Sequence, residues 1–371
     1  MRVVISGGGT GGHIYPALAV AAQLRDLYGA DILYLGSDDG LETRLIPAAG
    51  LRFAAIKAGK LQRFVSWKTV QGVARVPVGV VQAIGIVRRF RADVAFTSGG
   101  YVAVPAGLAA RLNGVPLLMH QQDVPPNLAN RLLAPLATRI SVSFADSLRY
   151  FPASKTVCLG NPVRQAMLDV RQVTPQQARV QLDLDADLPL LLVTGGSQGA
   201  RHLNQVVCRA LPELLSFCQV LHISGNRLFD ETRELAATAT TKLDKGLMQR
   251  YRLVPYMTDE MPLALQAAQL VVCRAGAATL SELALLGRPA LLVPLPPAIG
   301  SSPQEANAET FRRAGAAEVI ADTAFSPESL IERVSSVLAQ PARYQAMVEA
   351  GQTFAKPEAT QHIVEMIVRI A

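Results

Sequence analysis

VVISGGGTGGHIYPALAVAAQL, residues 3–24, opens the chain, and LLLVTGGSQGARHLNQVVCRAL, residues 190–211, repeats its pattern near the middle. Each reads as an apolar run that breaks at glycines and resumes as an amphipathic helix. An unbroken Val/Ile/Leu run suits a strand buried on both faces of a parallel sheet. A strand that turns through glycine into a helix aims backbone N–H groups, and the positive end of the helix dipole, at whatever lies above the turn. Two such units, far apart in sequence, predict two facing α/β domains with a phosphate-bearing ligand held between them.

Working outward from these units, apolar runs recur at residues 3–6, 31–35, 94–97, 117–120, 139–142 and 156–159. A second series follows at 190–194, 219–223, 251–254, 270–273, 290–293 and 317–320. Helical patterns separate most of them, and that alternation predicts one parallel sheet per half, with right-handed crossovers. The expected division is residues 1–163 as the first domain and 164–343 as the second. The helical stretch 344–371 carries no strand pattern and is expected to return to the first domain.

The chain has 371 residues, long for a single core, and half of them are apolar. Its cysteines, Cys158, Cys208, Cys218 and Cys273, lack metal-ligand spacing and sit in apolar or helical stretches, so reduced core thiols are expected. No secretory leader is expected, because the first strand pattern begins at Arg2. No apolar run approaches the roughly 20 residues that span a bilayer.

The net charge of +7 is unevenly placed. Residues 43–92 contain no Asp or Glu but hold Arg44, Arg52, Lys57, Lys60, Arg63, Lys68, Arg75, Arg88, Arg89 and Arg91. Interleaved with these are Leu61, Phe64, Val65, Trp67, Val70, Val73, Val76, Val80, Val81 and Ile84. A basic face beside apolar groups over 57–91 suits an anionic membrane surface. The competing reading is a core-facing helix with a solvated basic face. Nucleic acid is not expected, since no binding motif accompanies the charge.

Five motifs carry the chemistry. Thr10, Gly11, Gly12 and His13 sit where the first glycine loop opens its helix. A His there has its neutral form favoured by the dipole and suits a general base. Alone, this loop supports a nicotinamide oxidoreductase nearly as well, with Asp38 or Asp39 as the ribose carboxylate. Ser197 and Gln198 place a hydroxyl and an amide on the second loop, where a diphosphate is expected. Arg164 follows Pro162 at the end of the first domain and can take phosphate oxygens bidentately. A third strand–glycine–helix turn, residues 273–282, sets Ala277, Ala278, Thr279, Leu280 and Ser281 ahead of Glu282, a carboxylate suited to a ribose diol. Gln304 and Asn307 follow a Pro-rich loop and suit sugar hydroxyls.

Taken together, GGTGGH (8–13), GGYVAVPA (99–106), GNPVR (160–164), GGSQGA (195–200), CRAGAATLSE (273–282) and Gln304-x-x-Asn307-Ala308 resemble the MurG family of glycosyltransferases, family 28. The resemblance covers nearly the whole chain. It implies the GT-B fold, α/β with two Rossmann-like parallel-sheet domains facing across a cleft. It implies inverting transfer of N-acetylglucosamine from UDP-N-acetylglucosamine to the C4 hydroxyl of the muramoyl sugar of undecaprenyl-linked lipid I. The products are lipid II and UDP, and no metal or other cofactor is implied. The implied place of work is the cytoplasmic face of the bacterial membrane, as a peripheral protein whose first domain faces the lipid.

Carried over residue by residue, Ser197 and its loop hold the diphosphate and Glu282 holds the ribose. Residues 277–281 line the nucleotide, Thr258 lies at the uracil, and Gln304 and Asn307 read the donor sugar. Thr10, Gly11, Gly12, His13 and Arg164 come from the first side. The chain departs from the family at His120-Gln121-Gln122-Asp123, where HEQN is common. Asp123 thus stands near the reacting sugars, and either His13 or Asp123 is the base. It departs again at Ala275, commonly Ser, and at Pro303, commonly Gln. Alternative readings are a related glycolipid transferase with another acceptor, or a retired UDP-sugar-binding adaptor.

Overall fold

The computed structural model describes residues 1–59, 67–196, 198–296 and 304–371, with backbone alone for 67–74. The first sheet contains β1 (Arg2–Ser6), β2 (Asp31–Ser37), β3 (Arg52–Ile56), β4 (Val94–Thr97), β5 (Leu117–Gln121), β6 (Arg139–Val142) and β7 (Thr156–Cys158). Its order is β3-β2-β1-β4-β5-β6-β7. The second contains β8 (Leu190–Thr194), β9 (Gln219–Ile223), β10 (Tyr251–Val254), β11 (Leu270–Cys273), β12 (Ala290–Leu292) and β13 (Ala317–Val319). Its order is β10-β9-β8-β11-β12-β13. Both sheets are parallel throughout. In each, the strand that feeds a glycine loop, β1 or β8, lies where the winding reverses. That switch point is where open α/β sheets bind ligands.

β1 shows why the apolar run is a strand buried on both faces. Val3 and Ile5 turn to one core, with Ile14, Ala17, Val20, Ala21 and Leu24 of helix α1 (Gly11–Tyr28). Val4 turns to the other, with Ala95, Ala103 and Ala106. Helix α1 ends at Gly29, whose φ of 55° is the left-handed region. Gly29 N–H donates to Arg25 O and Ala30 N–H to Leu24 O, a glycine C-cap.

β3 was not among the expected strands. It pairs with β2 from Leu33↔Arg52 to Ser37↔Ile56 at the sheet edge. Arg52 and Ala55 are exposed and Phe53 and Ala54 only half-buried, as suits a strand at the sheet edge.

The chain divides into two compact units, Met1–Arg164 with Lys356–Ala371, and Gln165–Ala355. The chain therefore rejoins the first unit at Lys356, not at residue 344, and Arg164 groups with the first unit. Packing explains the later return. The helix Pro341–Gln352 buries Met347 in the core that holds Val334 and Val337. The helix Ala359–Ile370 instead buries Ile363, Val364 and Ile367 beside Val3, Ile5 and Phe96.

The described part of the basic stretch is a helix that packs on the core by one face. Helix α3 (Trp67–Phe90) buries Gly79, Ala83 and Val87 at helical spacing. Its other side leaves Val78 47% and Val81 70% exposed, with Arg88 and Arg89 exposed further along. Lys60, Leu61, Arg63, Phe64 and Val65 lie outside the described residues, as do the side chains of Trp67, Lys68, Val70 and Val73. Among the described residues no helix is long and apolar enough to cross a membrane. Cys208, Cys218 and Cys273 are buried free thiols and Cys158 is a half-buried one.

Candidate functional site

The first unit brings its glycine loops together under α1. Gly8 N–H donates to Gly99 O at 3.3 Å. Thr10 is the exposed N-cap of α1, and its hydroxyl caps no helix N–H. Gly11 is buried and Gly12 half-buried in the first turn. The backbone of His13 is fixed twice: its N–H reaches Thr10 O at 3.1 Å, and its carbonyl accepts from Ser98 Oγ at 2.6 Å.

The His13 ring is fixed as well. Nδ1 lies 3.1 Å from Ser98 O, which can only accept, so Nδ1 carries the proton and Nε2 keeps its lone pair. Gln122 Nε2 shares the same carbonyl at 2.9 Å and lies 3.3 Å from His13 Nδ1. Gly99, at φ 106°, leaves room for the ring, because a Cβ there would stand 2.9 Å from Nδ1. Burial holds the imidazole below its ordinary 6.5, opposed by the Asp123 charge and the Ser98 carbonyl. His13 is thus a neutral imidazole whose accepting nitrogen is Nε2.

The departure at residues 121–123 has a structural counterpart. Gln121 is a strut: its Nε2 donates to Asp123 O at 2.6 Å and its Oε1 accepts from Asn130 Nδ2 at 2.7 Å. A carboxylate at 121 could not donate to Asp123 O. Asp123 itself is 9% exposed. Beneath it, His120 lies between Ser141 Oγ at 2.9 Å and Asn161 Oδ1 at 3.1 Å, and burial lowers it to about 4. Asn161 belongs to the GNPVR motif, whose Val163 backbone bonds Thr360 of the returning helix. Arg164 ends the unit with its guanidinium 4.8 Å from the Tyr15 ring centroid, a cation–π contact on α1.

The second unit leaves its loop open. Gly196 is exposed at φ 78°, and among the described residues a Cβ there would meet nothing within 4 Å. Gln198 is exposed beside it, whereas Ser197 lies outside the described residues. Gly199 and Gly225 pack so closely that a Cβ on Gly225 would stand 2.6 Å from Gly199 Cα. The helix Arg201–Phe217 follows with no side-chain cap. Its first turn is anchored by buried Asn204, which donates to Ser224 O at 2.9 Å and faces His222 Nε2 at 3.1 Å. Burial lowers His222 to about 3, so it stays neutral.

The third turn is clamped from below. Gln304 Oε1 accepts from Ala275 N–H at 3.1 Å and from Leu295 N–H at 3.0 Å. Asn307 is fully buried and donates to Ala275 O at 3.0 Å. Arg274 bonds Asp322 at 2.5 Å and Val293 O at 3.0 Å. The helix Ala277–Leu286 then carries half-buried Ala278, Thr279, Ser281 and Glu282, while Ala277 and Leu280 are buried. Ser281 Oγ donates back to Ala277 O at 2.9 Å. Thr258 is exposed after β10.

The structure thus brings Thr10, Gly11, Gly12 and His13 together in the first unit, close to Gln122 of the 120–123 stretch and to Ser98, which the motifs did not single out. It also shows a buried carboxylate, Glu42, bonded to the first loop at Gly9 N–H, 3.4 Å away. Gln304 and Asn307, expected to read sugar hydroxyls, are engaged with the Ala275 backbone. No group of three or more His, Cys, Asp or Glu side chains able to hold a metal occurs among the described residues.

The chain matches the glycosyltransferase family 28 N-terminal domain over residues 3–142 and the family 28 C-terminal domain over residues 190–363. A relative from Desulforudis audaxviator, a UDP-N-acetylglucosamine--N-acetylmuramyl-(pentapeptide) pyrophosphoryl-undecaprenol N-acetylglucosamine transferase, is 39% identical over 100% of this chain and 99% of its own. One of the same name from Halothermothrix orenii is 36% identical over 99% and 98%. The crystal structure of Acinetobacter baumannii MurG superposes with a TM-score of 0.76 at 30% identity, covering 99% of each chain. A UDP-GlcNAc 2-epimerase from Neisseria meningitidis shares the fold at TM-score 0.70 but only 13% identity. The chain belongs to glycosyltransferase family 28.

Proposed function

We propose that this enzyme transfers N-acetylglucosamine from UDP-N-acetylglucosamine to the C4 hydroxyl of the muramoyl sugar of lipid I, with inversion, giving lipid II and UDP for peptidoglycan. The full-length identity of 39% to a transferase of that name carries the reading. The site supplies groups that suit it. His13 Nε2 takes the proton of the acceptor hydroxyl as its oxygen attacks the anomeric carbon, and the bond from that carbon to the diphosphate breaks. The Asp123 charge stabilises the imidazolium that results. Thr10, Gly11 and Gly12 form the floor beside His13.

The second unit holds the donor. Backbone N–H groups around Gly196, the Ser197 hydroxyl, the Gln198 amide and the helix dipole receive the charge that develops on UDP. Glu282 takes the ribose diol, Ala277 to Ser281 line the nucleotide, and Thr258 meets the uracil. Gln304 and Asn307 act by fixing the Ala275 turn, with the rest of Gln304 directed to the donor sugar. Arg164 pairs with phosphate oxygens. Exposed Val78 and Val81, with Arg88, Arg89 and Arg91, dock the first unit on the anionic cytoplasmic face of the membrane, where the polyprenyl acceptor resides.

The test is release of UDP from UDP-N-acetylglucosamine with and without a lipid I analogue, the disaccharide product being identified by mass. Release that depends on the analogue is expected. Donor binding without release would shift the reading to another acceptor or a non-catalytic role. Replacing Arg88, Arg89 and Arg91 by Glu is expected to slow turnover of a long-chain acceptor on anionic vesicles while sparing a soluble short-chain one. Equal loss on both would contradict the docking face.

A further inference from the structure

Glu42 begins helix α2 (Glu42–Ala48) and is fully buried, yet none of the sequence motifs includes it. Its carboxylate accepts three hydrogen bonds. Ser37 donates to Oε1 from both its N–H, at 3.0 Å, and its hydroxyl, at 2.7 Å. Gly9 of the first glycine loop donates to Oε2 at 3.4 Å. Ser37 Oγ in turn accepts from the Tyr101 hydroxyl at 3.0 Å. Burial, reinforced by the Glu42 charge, holds that phenol above its ordinary value, so it remains a donor.

Three glycines make room for this side chain. A Cβ on Gly8 would clash with the Glu42 carboxylate, one on Gly36 with its methylenes, and one on Gly40 with both carboxylate oxygens. An apolar filler would need no such ring of donors and stripped Cα atoms. The arrangement ties together two loops that each reach His13. Gly9 precedes Thr10, the N-cap whose carbonyl receives the His13 N–H. Tyr101 follows Ser98 and Gly99, which hold the His13 ring.

We propose that Glu42 is a positioning residue: its carboxylate pins the first glycine loop at Gly9 and, through Ser37, the neighbouring 98–101 loop at Tyr101, and so sets where the His13 imidazole stands. The inference rests on the transferase reading above for its kinetic consequence. In a dinucleotide domain an acid at the end of the second strand takes a ligand's ribose. Here the acid after β2 is turned inward onto the chain's own loop, and Asp38 and Asp39 are left exposed.

The test uses the full chain carrying Glu42→Gln, which keeps the volume but replaces one accepting oxygen by a donor. Turnover of a lipid I analogue is expected to fall roughly 10- to 100-fold, the scale of a misplaced catalytic group. Titrated UDP-N-acetylglucosamine is expected to bind with unchanged affinity and stoichiometry. Amide exchange in peptides covering residues 5–14 is expected to quicken, with peptides from 190–211 unchanged. Unchanged turnover would overturn the proposal, as would a loss of donor-binding sites in proportion to activity, which marks general misfolding. If the unmodified enzyme itself binds donor but does not turn over, the transferase reading fails instead. The exchange comparison then decides on Glu42: unaltered exchange at 5–14 refutes it.

Discussion

At the first glycine loop the chain supplies its own anion, and at the second, among the described residues, it supplies none. Both loops follow the strand at a switch point and both open a helix. Gly9 is closed from within by Glu42, and a Cβ there would stand 2.8 Å from the Tyr101 ring. Among the described residues nothing stands within 4 Å of where a Gly196 Cβ would be. The same local pattern therefore yields two tools. A loop whose N–H groups are bonded internally is a rigid shelf for a side chain, here His13. A loop with exposed backbone suits the ligand's negative charge that the proposed function places there.

Substitution at His13 should separate the two most sharply. His13→Ala removes the proposed base and is expected to lower kcat by roughly 10²- to 10⁴-fold. Steady-state rates with saturating donor read this directly, and a loss below tenfold would move the base elsewhere.

Next in size is the returning helix, which packs into the first unit's core. Ile363→Ala deletes a fully buried side chain beside Ile5 and Phe96 and is expected to cost roughly 2–5 kcal/mol in denaturant unfolding. Donor binding should persist in the denaturant window where activity has gone. Simultaneous loss of both would show that the units unfold as one.

The glycines themselves sharpen the contrast. Both Gly9 and Gly196 lie at positive φ, so Ala costs about 1–2 kcal/mol of backbone strain at either. Gly9→Ala adds the Tyr101 clash and should lower the melting temperature more. Gly196→Ala should act mainly by weakening UDP binding. Calorimetry of both variants with UDP checks the pair, and equal effects on UDP affinity would erase the distinction.

The smallest effect concerns pH. His13 titrates below 6.5 because burial disfavours its charge. In the proposed function its neutral form is the base, so the acid limb of kcat/KM should lie below that value. Asp123 raises the His13 pKa, so Asp123→Asn should move the limb to still lower pH. A limb moving upward would contradict the sign.

Much of this was written locally in the chain. Every expected strand run forms a strand, and both glycine loops fall where the apolar runs end, because β1 and β8 are buried on both faces and leave a continuous signal. What stayed hidden depends on residues far apart. Glu42 meets Gly9 across 33 positions, and Gln122 meets His13 across 109. Neither has a spacing that a motif can report. β3 is an edge strand whose short apolar run, residues 53–56, lies within the basic stretch that reads as helix or membrane face. Gln304 and Asn307 were visible as amides after a Pro-rich loop, but only the fold shows them spent on Ala275. The return at Lys356 was blurred because the helix before it, Pro341–Gln352, looks equally helical in sequence and differs only in which core receives Met347.

The central claim, that the open loop's unit holds the donor while the self-closed loop's unit supplies the base, is tested most directly by titrating UDP-N-acetylglucosamine onto two variants without acceptor. Glu282→Ala is expected to weaken binding by roughly tenfold or more, the loss of hydrogen bonds to a charged group, and His13→Ala to leave it within about twofold. Comparable loss in both, or loss at His13 alone, would contradict the account.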